Sequence, residues 1–235
     1  MIATQTYLQY ALMADVFKYP TADIKQQVND VAAMLRSEYP NAAEALSRYV
    51  NWINTTDIHE IEEVYAKTFH VQAVCYLDLG YVIFGEDYKR GEFLVNMKRE
   101  QDEARNDCGS ELPDNLANVL TLLPKLYDDE FRNELAGRIM IPALRMMYKE
   151  FSDRRMEIRT KMLKKKHNAL ILEGQRNGNI YKDAIEALTL MLTSDFKEVE
   201  LHQVKPETDP LRAAAPVADC GTCSISHAPI KTQKS

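Results

Sequence analysis

Glycine is scarce in this chain, at 8 of 235 residues, about half the usual share. That shortage argues against a turn-dense β barrel or sandwich and against a glycine-rich nucleotide fold. Tryptophan occurs once. The four cysteines, Cys75, Cys108, Cys220 and Cys223, are too few for a disulfide scaffold of this length, so a reduced, cytoplasmic chain is expected. Long apolar runs are missing too. No stretch approaches the ~18 uninterrupted apolar residues of a spanning helix. The start, Met1-Ile2-Ala3-Thr4-Gln5-Thr6-Tyr7, lacks the basic and apolar regions of an export signal. An excess of positive charge is also absent: 29 Lys and Arg stand against 35 Asp and Glu, for a net charge of −6. A duplex-binding protein is usually basic, so nucleic acid is not expected as a partner, and neither is direct membrane insertion.

What is present is the material of a packed helical core: 46% apolar and 27% charged residues. Leu8, Leu12 and Val16 predict one face of a first helix, stopped by Pro20. Thr21 can cap a second, with Ile24, Val28, Val31 and Leu35 as its stripe. Pro40 ends it and Asn41 can cap a third, carrying Leu46, Tyr49, Val50 and Ile53. Asp57 and Glu60 form a capping-box-like start to a fourth, with Ile58, Ile61 and Tyr65 inward. The run from Cys75 to Phe84 suits a buried strand or a buried helix. Its helical neighbours favour helix, ended by Gly85. A further helix is expected from about Asp87 to Asn106, with Phe93, Leu94 and Met97 inward.

Pro113 breaks the pattern, and Asp114 can cap the next helix, whose face is Leu116, Val119, Leu120 and Leu123. Phe131, Leu135 and Ile139 follow. Pro142 lies inside a helical pattern and predicts a kink, after which Leu144, Met147, Tyr148 and Phe151 resume the stripe. From Lys149 to Lys166 the chain turns basic, with eight Lys and Arg against three Asp and Glu. This run suits the solvated face of a long helix. Gly174 and Gly178 mark a loop, and a last helix from Tyr181 carries Ile185, Leu188 and Leu192. After about residue 203 the pattern ends, and four of the nine prolines lie beyond it. The organisation expected is therefore an all-α single-domain bundle over 1–203 and a flexible tail over 204–235.

Tests for chemistry mostly fail. None of His59, His70, His167, His202 and His227 has an acid three residues before it, so the ligand pair of a di-iron bundle is absent. Gly80 and Gly85 have phosphate-loop spacing, but Glu86 stands where a lysine is needed. No nucleophile elbow occurs. No catalytic or cofactor-binding pattern stands out among these candidates. One sharper pattern lies in the tail, where Cys220, Cys223 and His227 put two thiolates and an imidazole within reach of one soft metal ion. Three ligands do not close a tetrahedron, so free thiols on a tail are the competing reading.

Three segments carry a resemblance. They are Tyr65-Ala66-Lys67-Thr68-Phe69; Tyr76-Leu77 followed by Gly85-Glu86-Asp87-Tyr88-Lys89-Arg90-Gly91-Glu92; and Glu111-Leu112-Pro113-Asp114-Asn115-Leu116. In order and spacing they resemble the NarJ/TorD/DmsD family, the assembly chaperones of molybdenum-cofactor respiratory enzymes, and most of all its nitrate reductase branch. Asn115 stands where that family usually has histidine. The basic stretch from Ser152 to Gly178 looks like an insertion, and the cysteine-bearing tail lies outside the pattern.

The resemblance implies a cytoplasmic TorD/NarJ-like helical bundle that is not an enzyme. Such a protein binds the N-terminal leader of a molybdoenzyme catalytic subunit, supports cofactor insertion before membrane targeting or export, and works beside molybdenum-cofactor biosynthesis proteins. A leader is basic, then apolar, so its receptor needs an apolar groove with acid at one end. Tyr65 and Phe69, one helical turn apart, with Tyr76 and Phe84 are the expected groove wall. Asp78, Glu86, Glu111 and Asp114 are the expected acidic rim, and Asn115 keeps hydrogen-bonding capacity there. Arg90 suits either ligand contact or a tie between helices through Asp114 or Glu111, and Gly91 suits close helix packing. The alternatives are a metal-handling or redox module built on the tail, and a stable accessory subunit of the reductase.

Overall fold

The computed structural model describes residues 6–71, 73–152, 155–156 and 179–196. Within them the chain is a helical bundle. Its elements are α1 (Leu8–Met13) with a 3-10 turn at Ala14–Val16, α2 (Ile24–Glu38), α3 (Pro40–Thr55), α4 (Ile58–Phe69), α5 (Leu79–Phe84) and α6 (Tyr88–Glu103). Then come α7 (Leu116–Leu122), a 3-10 turn at Leu123–Lys125, α8 (Asp129–Glu134), a π turn at Leu135–Met140, α9 (Ile141–Glu150) and α10 (Tyr181–Asp195). No helix among the described residues is long and apolar enough to cross a membrane. The tail and most of the basic run lie outside the described residues, and so do Gly174 and Gly178.

Short polar side chains start the helices. Asp57 Oδ1 accepts from the His59 N–H at 2.9 Å, Asp87 Oδ1 from Lys89 N–H at 2.9 Å, and Asp128 Oδ1 from Glu130 N–H at 2.9 Å. Each satisfies an amide that the helix cannot pair internally, and Asp128 a second one, from Phe131 N–H at 3.1 Å. Pro40 opens α3 at its first position rather than merely closing α2, because its missing N–H costs nothing there. Asn41 is therefore inside α3 and caps nothing. Thr21 does not cap α2 by its side chain either; its carbonyl accepts from Ile24 N–H instead.

α10 is wedged between α3 and α9. Tyr181, Ala184, Ile185, Ala187, Leu188, Met191 and Leu192 are all buried, which leaves only a narrow wet stripe. Burying one such leucine completely is worth about 1.5–3 kcal/mol, so this helix anchors the bundle. At its far end Asp195 Oδ2 accepts from Tyr39 Oη–H at 2.7 Å, Tyr10 Oη–H at 2.9 Å and Gln9 Nε2–H at 3.0 Å. One carboxylate thus ties α1 and the end of α2 to α10. Asp195→Asn keeps the acceptor but loses the charge, and is expected to cost about 1 kcal/mol. A thermal melt unchanged by the substitution would deny the clamp its energetic role.

Three expectations need correction. Leu8 is 60% exposed and Leu12 42% exposed. The buried face of α1 and its 3-10 turn is instead Tyr10, Met13, Ala14, Val16 and Phe17. Both rows have helical spacing, and the aromatic row wins because Tyr10 meets Phe196 and Asp195. Pro142, expected to kink the interior of a helix, instead follows a π turn over Leu135–Met140 and falls in the first turn of α9, where its missing N–H costs least. The third correction bears on the site. Only Leu79–Phe84 of the Cys75–Phe84 run is helical. Before it, Ala73, Cys75, Leu77 and Leu79 are buried while Tyr76 is exposed, the period of two of an extended chain.

Candidate functional site

That extended segment finds its partner in the Glu111–Leu116 break. Leu79 N–H donates to the Asp114 carbonyl at 3.0 Å and Leu116 N–H to the Leu77 carbonyl at 2.8 Å. The result is an isolated antiparallel bridge between Asp78 and Asn115. The bridge brings two of the three resembling segments together and fixes the start of both α5 and α7. It also fixes the outward direction of Tyr76 and Asp78.

Asp114 is not the cap expected of it. Asn115 caps α7, its Oδ1 accepting from Ala117 N–H at 3.1 Å. Asp114 turns inward and is fully buried. Its Oδ2 accepts from the Gly80 N–H at 2.8 Å, while its Oδ1 is buried without a partner among the described residues. Burial pushes this carboxyl up to about 6, and the neighbouring Asp78 charge adds to the rise. The Gly80 amide and Arg90 oppose it.

Asp78 is half-buried at the rim of the same junction. Burial raises its pKa above the usual carboxylate range, Arg90 opposes the rise, Glu111 adds to it, and hydrogen bonding from Asn115 and the proximity of His70 oppose it. Arg90, in the first turn of α6, places Nη2 3.9 Å from Asp78 Oδ2 and its guanidinium carbon 5.0 Å from the Tyr81 ring centre. Its Nε is buried without a partner among the described residues. Arg90 therefore does tie α6 to the bridge, but through Asp78 rather than Asp114 or Glu111. Tyr81 in turn packs edge-on against Tyr76, centroids 4.5 Å apart. Tyr76, 44% exposed, presents its ring to solvent beside two carboxylates.

The remaining expected residues divide. Glu111 is exposed and near enough to Asp78 and Tyr65 to raise both. Phe84 is half-buried against Phe93, centroids 5.7 Å apart. Glu86 is exposed on the turn between α5 and α6 and joins none of the contacts above. Tyr65 and Phe69 are not a groove wall. Both are buried, and they pack with Tyr181 at centroid distances of 5.9 and 4.8 Å. The Tyr65 hydroxyl is spent on the Phe17 carbonyl at 2.9 Å. They form the floor beneath the site, because a helix flanked by α10 on that side has no room for a ligand there.

His70 and Tyr19, which sequence reasoning passed over, adjoin the site, and so does Tyr81. The His70 ring lies 5.3 Å from the Tyr65 ring and Tyr19 stacks edge-on over Tyr65 at 5.5 Å. Tyr81 was legible as the companion of Tyr76 once the bend before α5 is known. Tyr19 arrives from a distant part of the chain and had no local signal. Gly91 is not a packing glycine, since a Cβ there would meet nothing within 4 Å. Gly80 is: a Cβ would lie 2.8 Å from both Asp114 Oδ2 and Phe93 Cδ1.

Among the described residues no group of three or more His, Cys, Asp or Glu converges to hold a metal. Cys220, Cys223 and His227 lie outside the described residues. The groups the site brings together are suited to binding a cationic, apolar ligand. The site offers the exposed Tyr76 ring backed by the half-buried Tyr81, two carboxylates and one guanidinium at the bridge, beside a closed aromatic cluster. No protein-family model matches the chain, and no curated protein matches it.

Proposed function

We propose that this chain is a chaperone of a molybdenum-cofactor oxidoreductase, one that holds the N-terminal leader of the catalytic subunit on the cytoplasmic side before membrane targeting or export. The observation that supports it most is the bridge between Leu77–Leu79 and Asp114–Leu116. It sets the exposed Tyr76, packed on the half-buried Tyr81, beside Asp78 and Glu111. A leader's arginine suits the carboxylates, with charge-assisted hydrogen bonds worth about 1.5–3 kcal/mol each. Its apolar stretch suits the tyrosine rings. This reading needs no catalytic group and no resident cofactor, and it keeps molybdenum-cofactor biosynthesis proteins as the further partners.

The proposed contact surface is smaller than the aromatic row in the sequence suggests. It comprises Tyr76, Asp78, Tyr81, Arg90 and Glu111, with Asp114 and Asn115 setting the geometry from below. Tyr76 is exposed, and asparagine at the half-buried Asp78 keeps the side chain's size and its acceptor, so Tyr76→Ala with Asp78→Asn should leave the fold intact. The double variant is expected to bind a synthetic leader peptide about tenfold more weakly by calorimetry, roughly one lost aromatic contact and one weakened ion pair. Equal affinity in a folded double variant would remove this surface from the reading. Tyr65→Ala is no test of it, since that change empties the core.

A further inference from the structure

The outer side of α6 is left uncovered by the described residues. Its inner side, with Phe93, Met97 and Gln101, is buried, and its strongest packing among the described residues is on α5. The outer side carries Tyr88, Gly91, Glu92, Val95, Lys98 and Arg99, all exposed. At the pitch of an α-helix these six fall in one stripe about 120° wide, with Val95 on its midline. Tyr88 is 82% exposed and Val95 70% exposed. Gly91 between them has no use within one copy. Glycine disfavours a helix by about 0.5–1 kcal/mol relative to alanine, and a Cβ there would meet nothing within 4 Å among the described residues. Gly80 is bare because Asp114 and Phe93 crowd it; no described residue crowds Gly91. A bare backbone position between two exposed apolar side chains lets a second helix lie close.

We propose that this stripe pairs with the same stripe of a second copy of the chain, α6 against α6 and antiparallel, about a two-fold axis at Val95. The charges select both the occupant and the direction. Glu92 and Arg99 lie on one flank of the stripe, three positions before Val95 and four after it. An antiparallel two-fold keeps each flank on its own side and reverses its direction, so Glu92 of each copy meets Arg99 of the other, twice over. On the opposite flank Lys98, held to Asp102 of its own helix, lays its stem across Gly91 of the second copy, where the missing side chain leaves room. Val95 meets Val95 on the axis. A parallel pairing instead sets Arg99 beside Lys98 of the second copy, like charge against like. Arg99 can turn to the new contact at small cost. Its side chain is more than half exposed, and its partners Glu100 at 3.1 Å and Glu103 at 4.0 Å form surface pairs of the weak kind. A contact through one helix of 16 residues, about 24 Å long, is small, so the dissociation constant belongs in the tens of micromolar. The pairing uses neither Tyr76 nor Asp78 and does not rest on the proposed function.

The test is sedimentation equilibrium of the full chain from micromolar to submillimolar concentration, which is expected to show a reversible dimer. Glu92→Arg puts two basic groups at each charged contact, and Arg99→Glu puts two acidic ones there. Each variant alone is therefore expected to dimerise about tenfold more weakly than the unaltered chain. Mixed one to one, the two variants restore opposite charges at both contacts, and the mixed pair is expected to regain the affinity of the unaltered chain. Val95→Glu sets two like charges on the axis and is expected to yield a monomer throughout. All three positions are exposed, so circular dichroism should show each variant folded. A chain that stays monomeric at every concentration overturns the proposal and leaves the stripe to some other partner. A dimer indifferent to these substitutions, as a contact through another surface would give, overturns it too. So does a mixture that associates no more tightly than either variant alone.

Discussion

Gly80→Ala is expected to lower the stability of the protein by about 3 kcal/mol, seen as a reduced urea midpoint in far-ultraviolet circular dichroism. The added methyl would stand 2.8 Å from Asp114 Oδ2 and 2.8 Å from Phe93 Cδ1. Neither neighbour can retreat, because Phe93 and Asp114 are both buried. Overpacking of this kind costs about 1–3 kcal/mol. Pushing Asp114 away also breaks the 2.8 Å bond from the Gly80 amide, and a buried carboxylate stripped of its donor costs about 1–3 kcal/mol more. Alanine's better helix propensity returns about 1 kcal/mol. Gly91→Ala is the matched control. It lies on the exposed side of α6 with nothing within 4 Å of the new carbon, so it should stabilise by about 0.5–1 kcal/mol. An unchanged midpoint for Gly80→Ala would mean that the α5–bridge junction is looser than its geometry.

Asp114→Asn is expected to change how stability depends on pH. Burial raises the Asp114 carboxyl from 3.8 to about 6. The folded protein therefore holds that proton more tightly than the unfolded chain does. The favourable contribution is fully present below about pH 4 and is lost as pH rises through about 6. A shift of this size corresponds to about 3 kcal/mol across the window. Asparagine keeps an acceptor for the Gly80 amide and carries no charge to desolvate. The stability of the variant relative to the unaltered protein should thus climb by about 2–3 kcal/mol between pH 4 and pH 7. Taking the difference cancels the surface carboxylates, whose pairing works in the opposite direction. Asp78, also raised by burial, remains in both proteins, and only its coupling to Asp114 enters the difference. A pH-independent difference would show that Asp114 stays ionised throughout, and that its unpaired oxygen is satisfied by means other than its own proton.

These two residues also explain why the site came apart from its sequence reading. Asp114 follows a proline and precedes an apolar helix, which is the local grammar of a cap, and Asn115 one position later satisfies the same grammar. Which of the two caps α7 depends on where Leu77 and Leu79 sit, some three dozen positions earlier in the chain. Tyr65 and Phe69 failed as groove residues for a similar reason. Aromatic side chains one turn apart share a face, but whether that face meets a ligand or another helix is decided by α10, which begins more than a hundred positions later.

Helical class, the inward stripes of α2, α7 and α10 and the break at Pro113 were all readable along the chain, because a 3.6-residue period and a proline's missing amide act over a few residues. The buried aspartate, the glycine that must stay bare, the outward turn of Tyr76 and the identity of the Arg90 partner were not. Each is set by a contact between segments far apart in sequence. Solvent exclusion at such a contact, rather than local propensity, chooses which polar group is buried and which ring is left facing water.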